Sequence, residues 1–66
     1  MKARQFLRRL REAGVEIDES RGKGGHVLVR FRGRWSTVPV HGAVDLGPDF
    51  LRTICKLLGI DPKLVL

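Results

Sequence analysis

Two histidines are the main candidates for acid–base chemistry in this sequence. His26 follows the glycine-rich segment RGKGG at residues 21–25 and begins a run in which apolar and basic residues alternate. An imidazole titrates near neutral pH, so a histidine in this position can take up or release a proton. A histidine after a turn also commonly does no more than begin a strand. The residues alone leave both interpretations open.

Basic and aromatic side chains accompany His26 in the sequence. Lys23, Arg30 and Arg32 lie on either side of it, and each could bind a phosphate group or be a solvated charge. Cleavage of RNA by its own 2′-hydroxyl needs a base, an acid and positive charge that stabilises the phosphorane. Trp35 could stack on an unpaired base or form a cation–π pair with Arg30. These side chains define a candidate RNA site.

Two amphipathic helices are predicted, one near each end of the chain. Apolar residues recur at helical spacing in two sets: Ala3, Phe6, Leu7 and Leu10, and then Leu51, Ile54, Cys55 and Leu58. Gly14 and Gly59 are expected to end these helices. Asp61 is expected to cap a further turn that packs Leu64 and Leu66 back onto the core.

Between the helices, the period-two alternation of apolar and polar residues predicts three antiparallel strands. They cover VEIDES at residues 15–20, HVLVRFR at 26–32 and WSTVPVH at 35–41. The order predicts an α+β fold, a two-layer sandwich in which both helices cover one face of the sheet. The other face is then open to solvent. We expect one domain over residues 1–66.

A two-residue turn at residues 32–33 determines the expected pairing of the second and third strands. The resulting pairs are Val27 with Val38, Leu28 with Thr37, Arg30 with Trp35, and His26 with Pro39. His41 becomes the diagonal neighbour of His26 on the open face, with Cα atoms about 7–8 Å apart. His41 either hydrogen-bonds the loop before the second helix or acts as a second acid–base or phosphate-binding group.

The charge is concentrated in one half of the chain. Residues 1–34 contain ten Lys or Arg and four Asp or Glu, whereas residues 35–66 contain three of each kind, so the net charge of +6 lies in the first half. This asymmetry favours a polyanionic partner, with nucleic acid the leading case. The alternative is a solvated basic surface without a ligand.

The remaining composition limits the class of protein. Cys55 is the only cysteine, which excludes an intramolecular disulfide, and we expect it to be a small buried apolar residue. No stretch approaches the roughly 18 apolar residues of a spanning helix, and no clustered ligands indicate a metal site. We expect a cytoplasmic protein without membrane contact, metal or cofactor.

Three motifs in this order and spacing resemble the HicA toxins, and the similarity runs from Arg4 to Leu64. The motifs are GKGGH at residues 22–26, TVPVHG at 37–42 and LRTICKLLGI at 51–60. HicA toxins are small mRNA interferases with a double-stranded-RNA-binding-domain-like fold, so the resemblance implies that fold and that activity. It places the catalytic role on His26, with Gly24 and Gly25 shaping the approach to it. It also implies a HicB antitoxin that covers the site.

The sequence departs from the family pattern at two positions next to His26. Gly25 replaces the usual serine, which removes a hydroxyl that could orient the imidazole or the phosphate. Val27 stands where many members carry a second histidine or an aromatic residue. Neither departure removes the base, but both bear on the rate and on the substrate preference.

The combined interpretation is a metal-independent endoribonuclease that uses His26 as general base or acid and leaves a 2′,3′-cyclic phosphate. RNA contacts are predicted from a larger set: Lys23, Gly24, Gly25, Arg30, Arg32, Trp35 and His41. The expected partners are mRNA and an acidic HicB-like antitoxin, and the free toxin is expected to be a monomer. Two other interpretations fit the same residues. One is an RNA-binding module without catalysis, and the other is a protein-interaction module that docks an acidic partner.

Overall fold

The chain folds as helix, three antiparallel strands and helix, as the hydrophobic pattern predicts. In this computed structural model, which describes residues 1–20 and 24–66, the elements are α1 (Ala3–Glu12), β1 (Glu16–Asp18), β2 (His26–Phe31), β3 (Arg34–Pro39), α2 (Pro48–Leu58) and a final 3-10 turn (Pro62–Leu64). The strand order is β1-β2-β3, so β2 is central and the other two strands are edges. This is the predicted α+β fold, and its topology agrees with a double-stranded-RNA-binding-domain-like architecture.

Both helices pack on the same face of the sheet and form one hydrophobic core with it. α1 contacts β1, and α2 contacts β3. Phe6 and Leu10 are fully buried in the helical layer, and Val29 and Val38 join the same cluster from the sheet. Cys55 is buried there too, and burial raises the pKa of its thiol because the thiolate is disfavoured away from water. The opposite face of the sheet is open to solvent.

The pairing of β2 with β3 is the predicted one. Val27 lies opposite Val38, Leu28 opposite Thr37, Arg30 opposite Trp35, and His26 opposite Pro39. The turn that sets this register places Arg32 and Gly33 at φ values of 50° and 81°. Positive φ at both central residues is the type I′ geometry, whose twist suits a two-residue hairpin. Pro39 ends an edge strand, where its missing N–H interrupts no ladder.

The strand limits and the C-terminal turn differ from expectation. β1 has three residues, and β3 begins one residue earlier and ends two residues earlier than predicted. Leu64 and Leu66 do not pack onto the core: they are 68% and 39% exposed, and Val65 is buried instead. Asp61 caps the turn as expected, since its carboxylate accepts a hydrogen bond from the Lys63 amide. Successive residues of a 3-10 turn are about 120° apart, so one side chain per turn faces inward.

Candidate active site

His26 is the first residue of the central strand, and its side chain is exposed. Its backbone lies opposite Pro39, while β1 pairs with β2 further along the strand. The sheet therefore holds the backbone of His26 and leaves the imidazole in solvent. A large, flexible substrate can reach such a group without entering a cavity. Lys23, which was predicted to bind phosphate near His26, lies outside the described residues.

The residue before His26 is in direct contact with His41. Gly25 has a φ of 84°, and a β-carbon built on it would lie 2.9 Å from Cβ of His41 and 3.0 Å from its Nδ1. Both distances are shorter than ordinary carbon contacts of about 3.5 Å. The amide of Val40 donates a 2.6 Å hydrogen bond to the Gly25 carbonyl, which joins the two backbone segments. His41 thus occupies the space that a serine side chain at position 25 would need.

The loop between β3 and α2, which contains His41, is attached to the first residues of the chain. The Ala3 amide donates to the Val44 carbonyl at 3.1 Å, and the Leu46 amide donates to the Met1 carbonyl at 2.7 Å. The α-amino group of Met1 also donates to Asp45 at 2.8 Å. That hydrogen bond and the positive charge of the amino group lower the pKa of the Asp45 carboxyl. These contacts fix the course of the loop that carries His41.

Arg30 is neutralised on the open face of the sheet. Its guanidinium forms a hydrogen-bonded ion pair with Glu16 and lies 4.0 Å from the Asp18 carboxylate. The hydrogen bond and the charge of Glu16 raise the pKa of Arg30. Both acidic residues come from β1, and Glu16 lies directly opposite Arg30 in the sheet. The charge that Arg30 could offer to a phosphate is therefore already balanced within the protein.

The aromatic contacts of the sheet bear on the two roles predicted for Trp35, which were stacking on a base and a cation–π pair with Arg30. The guanidinium of Arg32 lies 5.0 Å from the centre of the Phe31 ring, a cation–π contact at the hairpin. Arg30 contacts carboxylates, and among residues 1–20 and 24–66 the cation–π contact found is that of Arg32 with Phe31, not the alternative pair of Arg30 with Trp35. Trp35 is 64% exposed, which leaves its ring accessible for stacking.

A row of arginines on α1 forms a basic surface that was not among the predicted RNA contacts. Arg4, Arg8 and Arg11 recur at helical spacing and line a shallow groove of about 190 Å³ together with Leu7, Ile17 and Glu19. Arg4 pairs with Glu19 at 3.1 Å. Arg8 and Arg11 are exposed, and within residues 1–20 and 24–66 neither forms an ion pair. The i, i+4, i+7 spacing of these arginines places them on one side of the helix.

The larger depressions of the surface include neither histidine. A larger depression of about 640 Å³ is lined by α1 and the C-terminal turn, and it includes neither histidine. Within residues 1–20 and 24–66, no group of three or more His, Cys, Asp or Glu side chains is arranged to hold a metal ion. Over the same residues, no helix has the length and apolarity needed to cross a bilayer.

Comparison with known proteins gives a consistent result. The model of the family described as the HicA toxin of bacterial toxin–antitoxin systems matches residues 3–60. A curated protein of Pseudomonas fluorescens (strain Pf0-1), named probable mRNA interferase HicA, is 38% identical over 60 residues, which cover 91% of this chain and 97% of that protein. No solved structure gives a match. With a match over most of its length and the helix–sheet–helix order in place, the chain belongs to the HicA toxin family.

Proposed function

We propose that this protein is the toxin of a toxin–antitoxin system and cleaves mRNA with His26, without a metal ion. The observation that carries the proposal is an exposed imidazole at the start of the central strand, next to the contact between Gly25 and His41. The family match and the name of the Pseudomonas fluorescens relative support RNA as the substrate. The open-surface position suits a substrate that is itself large and flexible.

The proposed reaction is transesterification within the RNA. A base removes the proton of a 2′-hydroxyl, a bond forms between that oxygen and phosphorus, and the bond from phosphorus to the 5′-oxygen breaks. An acid then supplies the proton that the leaving 5′-oxygen takes up. The products are a 2′,3′-cyclic phosphate and a 5′-hydroxyl. His26 performs one of the two proton transfers, and this chemistry requires no metal.

The RNA is proposed to contact two surfaces of the protein. Trp35 provides a base-stacking surface on the open face, and each base stacked on an aromatic side chain is worth about 1–3 kcal/mol. Phosphate contacts are proposed for Lys23 and Arg32, and for the exposed arginines of α1, Arg8 and Arg11. Arg30 contributes less because its charge is balanced by carboxylates of β1.

The proposed protein partner is a HicB-like antitoxin that carries acidic side chains. The net charge of +6 would favour association with such a protein, and the complex would place negative charge where RNA phosphates otherwise bind. The free toxin is proposed to act as a monomer in the cytoplasm.

The test compares RNA cleavage by wild type and by His26→Ala in EDTA, with circular dichroism of both proteins. Lys56→Ala is the matched control, because Lys56 is an exposed cation on α2 and α2 lies on the other face of the sheet. Cleavage by wild type and by the control, but not by His26→Ala, is the expected result. A requirement for Mg²⁺, or cleavage that survives loss of the imidazole, contradicts the proposal. RNA binding without cleavage by any variant supports the non-catalytic RNA-binding module instead.

A further inference from the structure

We propose that His41 is the second proton-transfer group of this site and acts on the same phosphate as His26. The inference rests on the proposed RNA cleavage by His26 and adds a residue and a role to it. One imidazole cannot be the base for the 2′-hydroxyl and the acid for the 5′-oxygen in the same transition state, since these atoms lie on opposite sides of phosphorus. A second proton donor or acceptor is therefore needed, and His41 is the protein group proposed for this role.

The distances place the His41 imidazole within reach. Its Nδ1 lies 3.0 Å from the β-carbon position of residue 25. Consecutive Cα atoms are about 3.8 Å apart and a Cα–Cβ bond is about 1.5 Å, so Nδ1 of His41 lies within about 8 Å of the His26 Cα. The His26 imidazole extends several ångströms from that Cα. The proposal is that a bound phosphate group contacts both rings.

The contact requires a glycine at position 25. Any side chain there would overlap His41, and the φ of 84° is a conformation that residues with a β-carbon rarely adopt. The Val40–Gly25 hydrogen bond holds the segment that carries His41 against the segment that carries His26. In this chain the imidazole of His41 occupies the volume that a side chain at position 25 would fill.

The His41 imidazole has no structural hydrogen bond that would explain its position otherwise. Among residues 1–20 and 24–66, no group donates to or accepts from it, and the side chain is exposed. Among the described residues, the charged and titratable groups on the adjoining segments are His26, Lys2, Asp45 and the α-amino group of Met1. Lys2 donates to the Ala43 carbonyl and Asp45 accepts from the amino group, so both are engaged within the loop.

The first experiment measures pH profiles of single-turnover RNA cleavage for wild type, His41→Ala and His41→Gln. The wild type should show a bell-shaped profile, because one group must be deprotonated and the other protonated. Both variants should lose one limb of the bell and fall about 10²–10⁴-fold in rate, since glutamine keeps hydrogen-bonding capacity but transfers no proton. Binding of 2′-O-methyl RNA, which cannot be cleaved, should change less than threefold.

A modified substrate separates the two roles. When sulfur replaces the scissile 5′-oxygen, the thiolate leaves without protonation, so the variant that lacks the acid regains most of its rate. Rescue of His41→Ala identifies His41 as the acid. Rescue of His26→Ala identifies His26 as the acid and His41 as the base. Rescue of neither variant overturns the inference. A full rate and an unchanged bell in His41→Ala overturn it while leaving His26 catalysis in place, whereas absence of cleavage by wild type overturns both proposals.

A glycine substitution provides an independent check. Gly25→Ser should displace His41 and reduce the cleavage rate at least tenfold. Gly33→Ser is the matched control, because Gly33 has a similar φ of 81° and a β-carbon there would meet nothing within 4 Å. Both substitutions place a β-carbon at a positive φ, and Gly25→Ser adds the overlap with His41. The activities are therefore compared at a temperature at which circular dichroism shows both variants folded, and Gly25→Ser is expected to be the less active. Equal activities in the two variants would count against a functional contact between Gly25 and His41.

Discussion

The distribution of balanced and unbalanced arginines leads to a quantitative prediction for RNA binding. Each phosphate contact to a single strand contributes about 0.7 to the slope of log K against log salt concentration. Arg8 and Arg11 on α1 are exposed, so Arg8→Gln with Arg11→Gln should lower the slope by about 1.4. The matched variant, Arg30→Gln with Glu16→Gln, keeps the net charge and removes an arginine that is already paired. Its slope should stay within about 0.3 of the wild-type value.

The assay is fluorescence anisotropy with a labelled single-stranded 2′-O-methyl RNA, titrated at several salt concentrations between 50 and 200 mM. Between 50 and 200 mM salt, each phosphate contact contributes about a 2.6-fold loss of binding affinity, so a variant that lacks the contact loses about 2.6-fold less. Circular dichroism confirms that the variants are folded. An equal loss of slope in both double variants would refute the argument that β1 neutralises Arg30. A loss in the Arg30 variant alone would show that the open face, not α1, binds the phosphates.

Three further predictions concern stability and accessibility. Leu10→Ala, at a fully buried position of α1, should lower the free energy of unfolding by about 2–5 kcal/mol. Because a domain this small is only marginally stable, urea denaturation should show that the variant is partly or completely unfolded before urea is added. The folded-state pKa of the Asp45 carboxyl is lowered, so its contribution to stability is present above the pKa of the unfolded chain and is lost as pH falls through the folded value. Thermal melts of wild type and Asp45→Asn should therefore differ at neutral pH and converge as the pH falls below about 4, and a constant difference would contradict this. Cys55 should react slowly with a thiol reagent in the native state and quickly in denaturant, because the thiol is buried and its pKa is raised; fast native labelling would contradict the packing.

Local patterns predicted the fold because each element has a strong periodic or turn signal. The apolar stripes of α1 and α2 are buried at every predicted position. The two-residue turn at residues 32–33 was sufficient for the register of β2 and β3, because a one-residue slip would have moved the whole apolar set to the open face. His26 was placed correctly on the exposed side by the same register.

Other features could not be read from local patterns because they depend on residues distant in sequence. The pairing of Arg30 with Glu16 depends on the register between β1 and β2, which the sequence pattern did not determine. Leu64 and Leu66 are exposed because of the orientation in which the short 3-10 turn packs on the core. Composition does not specify that orientation. A charge count cannot distinguish a balanced arginine from an unbalanced one.

The site illustrates this division at the level of single residues. The amino-acid sequence by itself determined the helix–sheet–helix order, the exposed position of His26 and the excess of positive charge, because periodicity, turn chemistry and composition are local properties. Only the tertiary structure decided which arginines keep their charge available, and that His41 lies against Gly25. Both depend on atomic distances between separate segments, and these distances are set when the segments pack together.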